Sequence, residues 1–117
     1  MKSNKHPRRD GETNPAFEGV VRAMSRTPGV TQAKMFGCEG LKVQGKFFAV
    51  TVRGRLVVKL QEGRVKEVIA RKQGKQFYHI YNPNRMMKEW VSLEPNSNDW
   101  LELAREAKYF VAQNKKK

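Results

Sequence analysis

Leu41-Lys42-Val43-Gln44-Gly45-Lys46-Phe47-Phe48-Ala49-Val50-Thr51-Val52-Arg53-Gly54-Arg55-Leu56-Val57-Val58-Lys59-Leu60 is the stretch on which the fold turns. Leu41 and Val43 alternate with Lys42 and Gln44, and Gly45-Lys46 reads as a tight turn. Phe48, Val50 and Val52 then alternate with Phe47, Ala49 and Thr51. Arg53-Gly54-Arg55 marks a second turn, after which Leu56, Val58 and Leu60 keep the period. Period-two alternation broken by short glycine turns spells antiparallel hairpins. Phe47, Ala49 and Val57 make the opposite face partly apolar, so that face is expected to be half covered.

Toward the N-terminus, Thr31, Ala33 and Met35 share one face of a further strand that ends at Phe36-Gly37. Before it, Phe17, Val20, Val21 and Met24 form one helical stripe, opened by Asn14-Pro15 and stopped by Pro28-Gly29. Toward the C-terminus the period changes. Val65, Val68, Ile69 and Lys72 predict a helix over 61–72, with Gly74 as its stop. Phe77–Tyr81 reads as an aromatic strand, Asn82-Pro83-Asn84 as a turn and Met86–Leu93 as another strand. Pro95-Asn96-Ser97-Asn98 is a loop expected to supply an N-cap. Trp100, Leu103, Ala104, Ala107, Phe110 and Val111 then mark a final amphipathic helix. These elements predict an α+β fold: a two-layer α/β sandwich with a mainly antiparallel sheet of five to six strands and helices on one face, in the order α-β(3–4)-α-β(2)-α.

A chain of 117 residues fits one domain, expected over 13–112, with a flexible basic arm at 1–12 and a lysine tail at 113–117. No apolar window is long enough for a spanning helix, and no apolar run follows the basic N-terminus. The expectation is therefore a protein without membrane association. Cys38 stands alone and cannot form an intrachain disulfide, which points to a reducing cytoplasm. The formal net charge is +13, of which residues 1–10 carry +3, residues 115–117 carry +3 and the body carries +7. Such a chain attracts polyanions in a salt-dependent way, and it also resists self-association. A monomer or weak homodimer is expected.

Catalytic constellations are missing. His6 lies in the N-terminal arm and His79 in a predicted strand, and no His, Cys, Asp or Glu group has metal-ligand spacing. No catalytic residue, cofactor or metal is expected. Cys38, in Gly37-Cys38-Glu39-Gly40, has no local base, and only His79 could serve as one. A Cys38-dependent enzyme or redox sensor is accordingly the weakest function class. The same Gly37–Gly40 run matches the GxxG loop of a KH domain, but its flanks read as strands, so a glycine hairpin is the better reading. Gly45–Val52 faintly matches the aromatic strand of an RNA-recognition domain, yet only one ring per face is available, which favours core packing.

The body's cations offer a polyanion surface: Arg53 and Arg55 at a hairpin tip, Arg64, Arg71, Lys72 and Lys75 around the second helix, and Arg85 and Lys88 on the late hairpin. Arg64, Arg71 and Lys75 would share one face if that helix ran through Gly74. Tyr78, Tyr81 and Trp90 are candidates for a protein interface, since aromatic side chains often anchor one.

Met35-Phe36-Gly37 followed by Gly40, the strand pair Phe47–Val52 and Leu56–Leu60, the run Arg85-Met86-Met87-Lys88-Glu89-Trp90-Val91 and the closing Trp100–Ala107 helix resemble the TfoX N-terminal domain family. This is the N-terminal module of the Sxy/TfoX competence regulators of bacteria. The resemblance covers roughly residues 15–112 and suggests a stand-alone member without the C-terminal helical domain of those regulators. It implies a two-layer fold, no enzyme activity and no catalytic residues. Met35, Phe36, Gly37, Met87, Trp90 and Val91 read as fold signature. The function it implies is that of a regulatory or adaptor domain acting through an unidentified protein partner. Direct nucleic-acid binding by the basic body and arms is the alternative.

Overall fold

The computed structural model describes residues 15–95 and 98–113. Its organising feature is a run of three two-residue hairpins joining β1 (Val30–Met35), β2 (Cys38–Val43), β3 (Lys46–Val52) and β4 (Arg55–Lys59). The turns are Phe36-Gly37, Gln44-Gly45 and Arg53-Gly54, with φ of 56° and 77°, 54° and 80°, and 54° and 80°. Positive φ at both central residues is the mark of the type I′ turn, whose twist matches that of paired strands. Glycine takes the second position without a Cβ clash. The turn expected at Gly45-Lys46 is therefore Gln44-Gly45, because Lys46 already pairs with Val43. Of Gly37-Cys38-Glu39-Gly40, only Gly37 is in a turn; Gly40 lies inside β2 opposite Ala33 and Val50.

β5 (Gly74–Tyr78) and β6 (Met86–Leu93) complete a six-stranded sheet in the order β1-β2-β3-β4-β6-β5, antiparallel throughout. With α1 (Pro15–Met24), α2 (Glu62–Ala70) and α3 (Trp100–Gln113), the architecture is the expected α+β one. The main core lies between sheet and helices. Phe17, Val20 and Met24 of α1, Val65 and Val68 of α2, and Trp100, Leu103, Ala107 and Val111 of α3 bury against Leu41, Phe48, Leu56, Val58, Val91 and Leu93. The Trp100 indole N–H donates to the Glu94 carbonyl at 2.9 Å, tying the head of α3 to the end of β6.

One β-bulge rearranges the central strand. Leu41 pairs with Ala49 but Lys42 pairs with Phe47, so Phe48 is an extra residue in β3. Phe48 and Ala49 both join the helix-side core, whereas Val50 and Val52 join Cys38 and Val57 on the other face. The expected grouping of Phe48, Val50 and Val52 on one face is thus wrong past the bulge. The opposite face is half covered, but of Phe47, Ala49 and Val57 only Val57 belongs to its buried cluster; Val50 and Val52 join it there, against Met35, Phe77, Ile80 and Trp90.

Helix α2 ends earlier than expected. The Gln73 N–H donates to the Val68 carbonyl and the Lys72 N–H to the Ile69 carbonyl, each at 3.0 Å, with Lys72 at φ 64°. That is a Schellman stop with lysine in the left-handed position. Gly74 is instead the first residue of β5 and is buried. The head of α3 also differs: the Asp99 carbonyl accepts from the Leu103 N–H at 2.9 Å, so Asp99 takes the N-cap position, just beyond the predicted loop. The strand expected at Phe77–Tyr81 starts at Gly74 and stops at Tyr78. The predicted arms lie outside the described residues, apart from Gln113, the last residue of α3.

Candidate functional site on the helix-free face

The second apolar cluster contains no helical residue. Its cover comes from the connection between β5 and β6, which folds back over the sheet. The His79 N–H donates to the Arg85 carbonyl at 3.0 Å, the Asn82 N–H to the His79 carbonyl at 3.3 Å and the Arg85 N–H to the Asn82 carbonyl at 2.8 Å. The Tyr81 N–H donates to His79 Nδ1 at 3.1 Å, which leaves the proton of the neutral ring on Nε2. At the base of this loop the β5–β6 register slips between Gln76 and Tyr78. The Gln76 amide fills the irregularity, donating to the carbonyls of Met87 at 2.8 Å, Phe77 at 3.1 Å and Trp90 at 3.4 Å.

β1 and β5 are the two edges of the sheet, yet the β1–β2 turn meets the β5–β6 loop across its helix-free face. The Phe36 ring sits edge-on to His79, centroids 5.3 Å apart, and to Tyr81 at 5.1 Å. Such edge-to-face pairs are favourable by roughly 0.5–1.5 kcal/mol each. Phe36 holds a left-handed conformation that a bulky residue rarely adopts, and it remains 43% exposed. Asparagine would suit that turn position better. The ring is therefore placed by its contacts and not by turn preference.

Beneath the Phe36 and His79 rings lies a cavity of about 200 Å³. Its walls are Met35, Val50, Phe77, Ile80, Met87 and Trp90, and Arg85 is the one permanent charge lining it among the described residues. A second cavity of about 390 Å³ shares Phe77, His79 and Ile80 with the first and adds Arg53, Arg55, Lys75 and Tyr78. Among the described residues no carboxylate lines either one. An apolar hole and a cationic trough therefore adjoin on one face.

The predicted cations divide between the two sides of the sheet. Arg53, Arg55, Lys75 and Arg85 line the cavities, and Lys88 lies near Arg85 on β6. Arg64 belongs to α2, Arg71 and Lys72 to its C-terminal stop, so Arg64, Arg71 and Lys75 do not form one helical face. Arg64 donates to the Glu106 carboxylate at 2.7 and 3.1 Å and pairs with Glu67 at 3.2 Å. The hydrogen bond with Glu106 is the main cause that raises the Arg64 pKa above its ordinary value. Arg71 also pairs with Glu67, at 3.5 Å. Arg55 donates to Ser92 Oγ at 2.8 Å, to the Ser92 carbonyl at 3.3 Å and to Glu94 at 3.3 Å. Lys75, Arg85 and Lys88 make no ion pair among the described residues.

Of the predicted aromatics, Tyr78 is 44% exposed and lines the second cavity, Tyr81 is 67% exposed and packs against the Phe36 ring, and Trp90 is a wall of the first cavity with Lys59 Nζ 5.9 Å from its ring. Sequence reasoning took Met35, Phe36 and Met87 as fold signature and overlooked Ile80. The one available signal was an aromatic residue before a turn glycine. Cys38 is fully buried, its Sγ 3.8 Å from the Phe36 carbonyl, which leaves a thiol with no open approach. Among the described residues no group of three or more His, Cys, Asp or Glu could hold a metal ion, and no helix is long and apolar enough to cross a membrane.

The TfoX N-terminal domain profile matches residues 22–111. The chain belongs to this family. No curated protein and no solved structure matches it. In this TfoX N-terminal domain the matched span begins in α1 and ends in α3, so it contains all six strands and every residue that lines the two cavities.

Proposed function

We propose that this TfoX N-terminal domain is a non-enzymatic regulatory or adaptor module that binds another protein through its helix-free face. The observation that carries the reading is the exposed aromatic group there: Phe36 lines an apolar cavity walled by Trp90 and touches Tyr81, and Tyr78 lines the adjoining trough. Exposed aromatics around a preformed cavity are the usual composition of an interface centre. A photocrosslinker replacing Tyr81 tests it. A partner captured reproducibly from lysate, and lost when Phe36→Ala is added, is the expected result. Capture that ignores Phe36, or no capture at all, sinks the reading.

Direct nucleic-acid binding is the second reading, favoured by Arg53, Arg55 and Lys75 lining one trough with Tyr78. Against it, the ion pairs of Arg55, Arg64 and Arg71 engage three of the cations a phosphate backbone would need. Salt titration of labelled DNA and RNA against the full chain and an Arg53→Ala/Lys75→Ala variant separates the two. A log-salt slope that falls by about one for each lost phosphate contact supports nucleic acid.

A further inference from the structure

We propose that the helix-free face takes a short acidic peptide segment that seats one apolar side chain in the cavity beneath Phe36 and His79. The proposal rests on the adaptor reading above and names the chemistry of its partner. The smaller cavity holds about 200 Å³. Pockets for whole small-molecule ligands run to roughly 300–1,000 Å³, so this one suits a single anchoring side chain. Its walls are thioether, aliphatic and aromatic carbons, the lining expected for a leucine- or phenylalanine-sized group.

Charge decides what flanks the anchor. Arg85 lines the cavity itself, and Arg53 and Lys75 line the trough that continues from it, with no carboxylate of the described residues in either lining. Lys75 and Arg85 make no ion pair among the described residues. A segment seated in the cavity and running along the trough therefore meets Arg85 at its anchor and Arg53 and Lys75 beyond it, and acidic residues there complement them. A second copy of this chain is disfavoured, because each carries a formal charge of +13. The chain's own ends are excluded by the same sign: residues 1–10 and 115–117 each carry +3.

The test uses the full chain and labelled synthetic peptides read by fluorescence anisotropy. One peptide has phenylalanine between acidic flanks, a second has alanine in its place, and a third keeps phenylalanine between glutamine flanks. Oligo-dT is the polyanion control. The phenylalanine peptide should bind about tenfold tighter than the alanine one, the effect of burying one large apolar side chain. The acidic flanks should contribute a similar factor at low salt, and the Trp90 indole N–H resonance should shift on binding. Arg85→Glu should weaken binding at least about fivefold, while Arg105→Glu, which makes the same charge change on α3, should change it less than about twofold. Arg85 and Arg105 are both exposed, and thermal unfolding verifies that both variants fold.

Equal affinity of the phenylalanine and alanine peptides overturns the proposal, as does an equal response to the two arginine variants. Tighter binding of oligo-dT, indifferent to Arg85, overturns it in favour of nucleic acid. If no peptide binds while the Tyr81 crosslinker still captures a Phe36-dependent partner, the acidic-anchor chemistry is wrong and the adaptor reading stands.

Discussion

Replacing Gly74 with alanine should destabilise this domain, although alanine is ordinarily the better residue in a strand. Gly74 opens β5 opposite Leu93 of β6, and its φ is not positive. A Cβ there would lie 2.7 Å from the Ser92 carbonyl oxygen, 3.1 Å from Val91 Cγ2 and 3.3 Å from Leu93 Cα. The first and last of these are backbone atoms of a central strand, so they cannot swing aside as a long side chain would. Two effects compete. Restricting the unfolded chain favours alanine by about 0.4–1 kcal/mol. Forcing a methyl into a filled site costs about 1–3 kcal/mol through strand displacement. A contact as short as 2.7 Å places the cost near the upper end, for a net loss of about 1–2 kcal/mol. At about 4 °C per kcal/mol, Tm should fall by roughly 4–8 °C in a thermal scan followed by circular dichroism. Gly19→Ala is the matched control. Gly19 is exposed within α1, and a methyl added there would find nothing within 4 Å, so that substitution should raise stability by about 0.5–1 kcal/mol. The reasoning is refuted if Gly74→Ala leaves Tm unchanged or raises it. Such a result would return Gly74 to the role of a helix stop, with no close strand approach.

The Cys38 thiol, packed among Val50, Val52 and Val57, should resist alkylation by iodoacetamide in the native chain and react fully in denaturant; fast native labelling would show that the cluster opens. Arg64→Met should lower stability by about 1 kcal/mol by removing the paired hydrogen bonds that join α2 to Glu106 of α3, and unchanged Tm would show that solvent screens the pair completely. Because the Arg64 pKa is raised in the folded chain, its contribution is present in full at neutral pH and is lost only as pH climbs through that high value. The wild-type minus Arg64→Met difference in Tm should accordingly be flat between about pH 6 and 9, and a slope there would contradict it. Phe36→Asn should leave Tm nearly unchanged, since the lost ring contacts offset a residue better suited to φ of 56°, yet it should abolish capture by the Tyr81 crosslinker; a large fall in Tm would make Phe36 a structural residue.

Most of the architecture was legible because its signals are local. Three glycines at two-residue turns, alternating strands between them and the stripes of Phe17–Met24 and Trp100–Val111 each report the geometry of neighbouring residues. Legibility failed wherever pairing between distant segments decided the outcome. Phe48 and Ala49 look like ordinary alternating residues until pairing with β2 imposes a bulge there. Gly74 looks like the end of a helix until Ser92 crowds it, and Lys72 takes the left-handed position that a glycine was expected to hold. The candidate site was the least legible part. Tyr78, Tyr81 and Trp90 stand out in the sequence as aromatics, but Met35 and Phe36 lie some forty residues away from their cavity partners Phe77 and His79.

The α+β class, the hairpin order, the family and the excess of positive charge follow from periodicity, turn chemistry and composition, which act within a few residues. Which charges are engaged, and where an apolar hole adjoins a basic trough, depend on contacts between distant segments. Arg55 is tied to Ser92 and Glu94 only because β4 and β6 are neighbours. The cavity exists only because the two ends of the sheet approach each other closely enough for Phe36 to touch His79 and Tyr81. Such contacts depend on the curvature and register of the whole sheet, which no short stretch of the chain encodes.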